Sequence, residues 1–468
     1  MESLARTANR GSVSTGPYQI DNSCKFEADN TEKIQSAESD AGNRRTWTFS
    51  IWCKRTELGS GNFALWSHGD SFIGFEADKL MVSLQYSGSS DFRFKTNRLF
   101  RDTAAFYHIV VAVDTTQGTD TNRLKIYVNG VQETSFSSTG AGYPSQNFDT
   151  GFVIGSDTDH PIGNSADGAA GFCGYLSEIL FIDTLQKAPT DFGEFDDDSG
   201  IWIPKKYSGA FSGRSFWYEF KNSGSMGTDS SGNSHTGLLN NIAAADQAAD
   251  TPTNNFTTFN TLRRYNQDWV SFKEGATNVM TGSGNNWTTI FNTVAVNKGK
   301  WYFEGELYSD EITQMFGQQP QAFTETNINT DWYLGAAADK TKGAAYYGSG
   351  DDVYYEGTYA NSSASTGGDI ISVAMDCDNN KVHFAVNGSW TNSSDPANNT
   401  NGFAMLDDYQ YFATALFPGS ATWKYNFGGY TTISISSAAS DANGYGTFEY
   451  APPSGYYALC TKNLEEYG

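Results

Sequence analysis

Short apolar runs separated by Gly, Asn and Asp recur along the chain at intervals of roughly 8 to 15 residues. Over Trp47–Trp52 apolar and polar residues alternate, as in a strand with one face on a core. The runs His108–Asp114 and Leu124–Gly130 flank a polar loop, and the second run ends in Asn129-Gly130, a strong hairpin-turn signal. The pattern predicts antiparallel β-sandwiches rather than alternating strands and helices.

The same pattern starts again near residue 265, with a different order of runs. Gly299–Leu307 gives an aromatic strand, and Gly368–Asp378 and Lys381–Trp390 form a predicted hairpin around Asn379-Asn380. Between the two sets, residues 228–260 are rich in Gly, Asn, Ser and Ala, which predicts a connecting segment. Because 468 residues exceed what a single core usually fills, we predict two domains, at 1–255 and 256–468.

Composition and charge narrow the function classes. Aromatic residues make up 15% of the chain and Gly numbers 48, which suits strands and turns better than long helices. The net charge of −23 repels phosphate groups, so we expect no nucleic-acid partner. No apolar run approaches the roughly 20 residues of a membrane-spanning helix, so we expect no membrane insertion. Five cysteines without CxxC spacing and an N-terminus without an apolar signal segment predict synthesis in a reducing cytosol.

Two family resemblances emerge from these runs. The succession Phe49–Trp52, HIVVAVD, RLKIYVNGVQ and Gly171–Ile179 resembles a laminin G-like domain of the concanavalin A-like class, over about residues 20–210. The order GKWYFE, GDIISVAMDCDNNKVHFAVNG and Leu416–Gly419 resembles a SPRY domain, over about residues 265–430. The resemblances imply an all-β chain, a jelly roll followed by a twisted sandwich. They imply binding of glycans or proteins, often with calcium in the first family, and they supply no catalytic residues for the second.

Glycosidases place two carboxyl groups close together on one face, so a carboxylate pair in the sequence would indicate catalysis. The nearest candidates, Glu194–Asp198 and Glu306–Asp310, lack alternating carboxylates between apolar residues and are typical of solvated loops. With five histidines, a hydrolytic triad or metal cluster has little support. We therefore predict that the protein is not an enzyme.

Candidate binding residues follow from side-chain chemistry. An aromatic ring covers the apolar face of a sugar while neighbouring polar groups bond its hydroxyls. Two segments fit this description, and the alternative for each is that its rings belong to a core. The candidate glycan-binding residues are Trp66, His68, Asp70, Tyr346, Tyr347, Tyr354 and Tyr355. Calcium is a candidate cofactor, with Asp157, Asp159 and Asp167 as oxygen ligands in one loop that could equally be a plain polar turn.

The pairing of these modules in an acidic chain rich in Asn, Gly, Ser and Thr resembles structural proteins of marine bacteriophages. This resemblance predicts a virion surface protein (tail fibre, tail tip or head-attached), made in the host cytoplasm and released by lysis. Its loops would bind host-surface glycans, and its partners would be other virion proteins and further copies of itself. The alternatives are a capsid decoration or connector protein with purely structural contacts, a depolymerase, or a cellular adhesin.

Overall fold

A computed structural model of the chain describes residues 18–36, 41–86, 92–153, 160–264, 269–284, 287–308, 313–322, 333–335, 342–360, 363–417, 419 and 421–468. These residues form two compact units, which we call the first and second units, and the division falls between Asn254 and Asn255. Nearly all regular structure is β-strand, so the predicted all-β fold class is confirmed. Within the described ranges, no helix is long and apolar enough to cross a membrane.

The strands of the first unit are β1 Ser23–Phe26, β2 Lys33–Ser36, β3 Thr46–Arg55, β4 Asn62–His68, β5 Ser71–Glu76, β6 Lys79–Ser83, β7 Arg93–Thr96, β8 Tyr107–Asp114, β9 Leu124–Val128, β10 Val131–Gln132, β11 Phe136–Ser138, β12 Pro161–Ile162, β13 Gly174–Asp183, β14 Gly193–Phe195, β15 Trp202–Pro204, β16 Phe216–Tyr218, β17 Gly237–Asn240 and β18 Gln247–Ala248. One sheet has the order β10-β9-β8-β3-β13-β1-β18, with β16 also paired to β13. The other has the order β11-β7-β6-β5-β4-β12-β2-β17, and β14 pairs with β15 separately.

The core of the first unit lies between these two sheets. Strand alternation directs Trp47, Phe49 and Ile51 of β3 into it, opposite Ile73 and Phe75 of β5. The predicted strands at Trp47–Trp52 and His108–Asp114 lie within β3 and β8. The predicted connection at 228–260 is instead partly sheet, because β17 pairs with β2 and β18 pairs with β1.

A buried histidine stands on the opposite side of β8 from that core. The ring of His108 stacks on Trp52, with ring centroids 4.5 Å apart, and lies at 6.0 Å from Trp202. Its Nδ1 accepts a hydrogen bond from the Trp202 indole at 2.9 Å, and its Nε2 lies 2.9 Å from the Ser50 hydroxyl. Because Nδ1 accepts, the neutral imidazole carries its proton on Nε2 and donates it to Ser50. Burial lowers the pKa of His108 to about 3.

The strands of the second unit are β19 Phe259–Arg264, β20 Val270–Lys273, β21 Asn278–Thr281, β22 Thr288–Asn292, β23 Lys300–Glu306, β24 Gln314–Pro320, β25 Ala344–Tyr347, β26 Asp352–Tyr355, β27 Thr358–Ala360, β28 Ile370–Asp376, β29 Lys381–Val386, β30 Ser389–Trp390, β31 Phe403–Ala404, β32 Gln410–Leu416, β33 Thr422–Asn426 and β34 Tyr457–Ala458. One sheet has the order β19-β22-β32-β24-β25-β26-β27. The other has the order β20-β21-β33-β23-β28-β29-β30, with β31 on β29 and β34 on β23.

Among the residues that the structure describes, helical structure is confined to short segments. The chain ends in the helix α1, Thr461–Tyr467. Single 3₁₀ turns lie at Ala28–Asn30, Asp120–Asn122, Pro189–Asp191, Ser223–Ser225, Ala244–Asp246, Gly348–Gly350 and Thr391–Ser393. The core of the second unit lies between its two sheets and includes Trp301, Phe303, Phe316, Phe412 and Trp423.

Candidate functional site

Five aromatic side chains of the second unit form a cluster outside its main core. They are Trp287, Tyr333, Tyr347, Tyr354 and Tyr359, and we call them the aromatic face. Adjacent residues of β25 and β26 point to opposite sides of the sheet, so Tyr347 and Tyr354 lie on the outer side while their neighbours lie in the core. The cluster is therefore a product of strand alternation on a sheet whose two faces both carry aromatic residues.

Small residues pair in register with the aromatic face. The pairing registers align Ala413, Gly317, Ala345, Tyr354 and Tyr359 in one row across five adjacent strands. The three small residues at one end of the row are buried. The open aromatic surface of the row therefore lies at its other end, where Tyr359 is exposed.

The five rings contact one another in a closed circuit. The centroid of Trp287 lies 5.3 Å from that of Tyr333 and 6.2 Å from that of Tyr347. Tyr359 lies 6.0 Å from Tyr347 and 4.8 Å from Tyr354, and Tyr333 lies 5.5 Å from Tyr354. Tyr359 is 60% exposed, Tyr354 is buried, and the other three are half-buried. The cluster thus holds its rings in fixed orientations while leaving part of their surface open to solvent.

Polar groups border the rings. Asp352 pairs in register with Tyr347, so its carboxylate lies on the same side of the sheet. Desolvation, the neighbouring Tyr347 and Tyr333 hydroxyls and the Asp352 carboxylate raise the pKa of Tyr359. The Tyr359 phenol therefore stays protonated at neutral pH and can donate a hydrogen bond. The arrangement can stack on an apolar face and bond hydroxyl groups, which is the chemistry of sugar recognition.

The structure divides the four predicted tyrosines into two pairs. Tyr347 and Tyr354 belong to the aromatic face. Tyr346 is fully buried in the core, where its hydroxyl donates to the Ser363 carbonyl at 2.6 Å, and burial raises its pKa to about 12. Tyr355 packs against the core beside Phe403, with ring centroids 5.5 Å apart. The interpretation of Tyr346 as a sugar-binding residue is therefore wrong, because its ring has no open face.

The predicted sugar-binding residues of the first unit do not form one surface. Trp66 is 2% exposed and stacks on Phe49 and Phe152, with centroids 4.9 Å and 4.3 Å apart. A ring enclosed by two others cannot stack on a sugar, so the prediction for Trp66 is wrong. His68, half-buried at the end of β4, stacks on His160 at 4.2 Å, and Asp70 is exposed in the turn before β5.

The predicted calcium ligands are only partly within the described residues. Asp157 and Asp159 lie outside them. Asp167 is exposed, and its Oδ1 accepts hydrogen bonds from the Ser165 hydroxyl at 2.6 Å and the Ala169 amide at 3.1 Å. These bonds lower the pKa of Asp167. One oxygen of this carboxylate is thus engaged in its own turn, and Asp167 alone makes no calcium site.

Three possible metal ligands that were not predicted from the sequence lie close together. Atoms of Glu27, Glu57 and Cys173 lie within 4.8 Å of one another in the first unit. The Cys173 thiol donates to Glu57 at 3.0 Å, and burial together with the two carboxylates raises its pKa. A protonated thiol is a poor ligand for calcium, which prefers oxygen, so these residues do not fit that ion.

Two buried carboxylates also escaped the sequence analysis. Glu178 lies within β13, and Glu219 directly follows β16, the strand that pairs with β13. Glu178 accepts a hydrogen bond from the Trp217 indole at 3.0 Å. Glu219 forms an ion pair with Lys221 at 2.6 Å. Burial raises the pKa of Glu178 to about 7. The sequence signal was a glutamate inside an apolar strand run, which occurs at both positions.

Part of the first unit matches a known protein family. Residues 28–184 match a protein family described as the concanavalin A-like lectin/glucanases superfamily. The matched residues include strands β2 to β13 of the first unit. A search of curated protein sequences finds no significant match to the chain.

Solved structures similar to the chain include two SPRY domains and one putative carbohydrate binding protein. The SPRY domain of human HERC1 shares 15% identity, with a TM-score of 0.28, over 36% of this chain and 96% of that one. Another human SPRY domain shares 14% identity, with a TM-score of 0.25, over 34% and 94%. A putative carbohydrate binding protein from Bacteroides ovatus shares 16% identity, with a TM-score of 0.30, over 48% of this chain and 59% of its own.

Proposed function

We propose that the chain is a non-enzymatic glycan-binding protein of a virion surface and that the aromatic face contacts the sugar. The observation that carries the glycan part is the closed circuit of five rings, with Tyr359 60% exposed and Asp352 beside it. Exposed aromatic surface on a rigid sheet loses little conformational freedom on binding, because the rings already contact one another. The phenol hydroxyls and the carboxylate supply donors and acceptors for sugar hydroxyls.

The first unit supports a sugar-binding role through its family. The matched superfamily is named for lectins and glucanases, which act on carbohydrate, and we extend that chemistry to this chain as part of the proposal. We assign no catalytic role. Glycoside hydrolysis normally uses two carboxyl groups, and Asp352 is the single carboxylate on which the proposal draws at the aromatic face. Calcium, if it binds, would act in the loop that contains Asp157, Asp159 and Asp167.

The virion setting is supported by the combination of features in the sequence. Two sandwich modules lie in one chain with a net charge of −23, and the chain is rich in the turn residues typical of phage structural proteins. In salty water this charge would be screened within a few ångströms. The proposed partners are other virion proteins and further copies of the chain, and the proposed location is a tail fibre, tail tip or capsid surface.

We expect Tyr359→Ala to weaken glycan binding about 10-fold, because it removes the most exposed ring of the face. The side chain is largely exposed, so the free energy of unfolding should change by less than about 1 kcal/mol. The measurement is a glycan array with the full chain, with calcium and again with chelator, followed by titration of the best ligand. Tyr86→Ala is the matched control, since Tyr86 is an exposed tyrosine of the first unit.

The outcomes separate the candidate functions. Binding that Tyr359→Ala weakens and Tyr86→Ala leaves unchanged supports the proposal, and loss of binding in chelator would implicate calcium. A folded chain that binds no glycan contradicts it and favours the capsid decoration or connector role. Release of reducing sugar from a bound glycan would contradict the non-enzymatic assignment.

A further inference from the structure

Three side chains lie in a row across one sheet of the first unit. Lys25 of β1 pairs in register with Tyr175 of β13, which pairs with Lys54 of β3. Their neighbours in each strand belong to the core, so these three lie on the opposite side of the sheet. The last segment of the unit crosses this row, with Asp246 at Lys25 and Asp250 at Lys54.

The contacts at Lys25 differ from those of an ordinary surface ion pair. Its ammonium nitrogen lies 2.9 Å from Oδ1 of Asp246 and 3.0 Å from Oε1 of Glu32. The side chains of Lys25, Glu32 and Asp246 are 1%, 2% and 10% exposed. An amine, a carboxyl group that can acylate it and a second carboxyl group are therefore held together almost without water.

The second carboxyl group, Glu32, is held in place by its own bonds. Its Oε2 accepts from the Glu27 amide at 2.7 Å and its Oε1 accepts from the Asn30 side chain at 3.0 Å. Burial, opposed by the attraction of Lys25, raises the pKa of Glu32 to about 7. Near neutral pH this carboxyl group can both give and take a proton.

We propose that Lys25 and Asp246 become joined by an intramolecular isopeptide bond, with Glu32 as the proton shuttle. The ammonium group first passes one proton to Oδ1 of Asp246, and the resulting uncharged amine attacks Cγ of the now protonated Asp246 carboxyl group. A bond forms between Nζ and Cγ, the bond between Cγ and Oδ1 breaks, and Oδ1 leaves as water. Glu32 takes one proton from Nζ and returns it to the leaving oxygen, so it is unchanged at the end. The reaction requires no oxidant and no other reactant.

The other oxygen of Asp246 is placed to become the amide carbonyl. Oδ2 accepts a hydrogen bond from the Ala243 amide at 2.7 Å. A donor at this oxygen stabilises the negative charge that develops there when Nζ attacks.

The second lysine of the row is an internal control. Nζ of Lys54 lies 2.7 Å from Oδ2 of Asp250, and both side chains are at most 1% exposed. The carboxyl group that can exchange a proton is Glu32, which lies at Lys25. The proposed bond is therefore assigned to the Lys25 pair, and the Lys54–Asp250 pair serves as the comparison.

The test is the mass of the purified full chain measured under denaturing conditions. We expect the wild type to be lighter than its sequence by one water molecule. A protease digest should contain a branched peptide in which Lys25 is joined to Asp246, as fragment masses that distinguish Asp246 from Asp250 would show, while the peptide with Lys54 stays linear. A chain of full sequence mass, a water loss without a branched peptide, or a branch at Lys54 would each overturn the proposal.

A variant tests the role of Glu32 separately. Glu32→Gln keeps the size and polarity of the side chain but cannot carry the proton, so we expect the full sequence mass with an unchanged circular dichroism spectrum. Loss of water in this variant would overturn the assigned role of Glu32. If the variant does not fold, the branched peptide of the wild type still decides whether the bond exists. Neither measurement depends on glycan binding, so a failure of this proposal can be distinguished from a failure of the proposed function.

Discussion

Trp66→Ala is expected to destabilise the first unit by about 3–5 kcal/mol, the range for replacing a large buried aromatic residue with alanine. The indole lies between Phe49 and Phe152 and meets Trp47 edge-on at 5.8 Å. Removing it leaves a cavity that stiff neighbouring rings cannot fill by small shifts. The lost aromatic contacts add to the cost of the cavity.

The measurement is guanidinium unfolding of the full chain, with the transition of the first unit compared between variants. Leu238→Ala is the control, because Leu238 is an exposed apolar residue of the same unit, and we expect its effect to be within about 0.5 kcal/mol. If Trp66→Ala unfolded at the wild-type denaturant concentration and instead lost glycan binding, Trp66 would be a surface residue after all.

The stability of the first unit is expected to fall by about 3 kcal/mol between pH 7 and pH 4 on account of His108 alone. Its pKa is about 3 in the folded protein, below the value of about 6.5 in an unfolded chain. Below about pH 6.5 the imidazole of His108 takes up a proton in the unfolded chain. In the folded protein it stays neutral until about pH 3. In that window acid favours unfolding, by about 1.4 kcal/mol for each pH unit. Protonation of Nδ1 would also place two N–H donors against each other at Trp202.

Comparing the wild type with His108→Gln isolates this effect. Glu32 and Glu178 act in the opposite direction, since their pKa values of about 7 exceed the ordinary value and acid favours their folded forms. Both carboxyl groups are present in each chain, so their contribution cancels in the difference. We expect His108→Gln to be less stable than the wild type at pH 7 but to lose about 3 kcal/mol less between pH 7 and pH 4. Parallel pH profiles would show that His108 does not titrate as the structure requires.

Local sequence patterns were enough to predict several of the strands. Alternation over Trp47–Trp52 and the Asn129-Gly130 turn depend on a few neighbouring residues, and both appear in the structure as β3 and the turn after β9. The side of the sheet on which a residue lies is harder to predict. In Tyr346-Tyr347 and Tyr354-Tyr355 one ring of each pair must face outward, and the pairing register decides which one.

The error at Trp66 has a specific structural cause. The pairing of β4 with β5 shifts between Ala64 and Trp66, so Leu65 is an extra residue and both Leu65 and Trp66 face the core. A bulge of this kind reverses the alternation without leaving a clear mark in the sequence. Trp66 was therefore assigned to a surface that its strand does not present at that position.

Buried charges were missed for a different reason. The ion pairs Lys25–Asp246 and Lys54–Asp250 were not predicted, because the partners are far apart in the sequence, with a separation of 196 positions in the second pair. No local pattern connects residues so far apart. A charged residue inside an apolar strand run is the available signal, and it marks Glu178 and Glu304 as well.

The strand order also determines when each unit can finish folding during synthesis. β1 bonds to β18, and the Ser23 hydroxyl donates to the Asp250 carbonyl, 227 positions later. The second unit closes in the same manner, since the Thr257 amide donates to the Leu459 carbonyl. Contacts between distant positions form slowly, and strand edges stay open until their partners leave the ribosome. A ribosome that stops before Gln247 would therefore release a chain whose first strand has no neighbour on one side, and such a chain is a target for proteases and for aggregation.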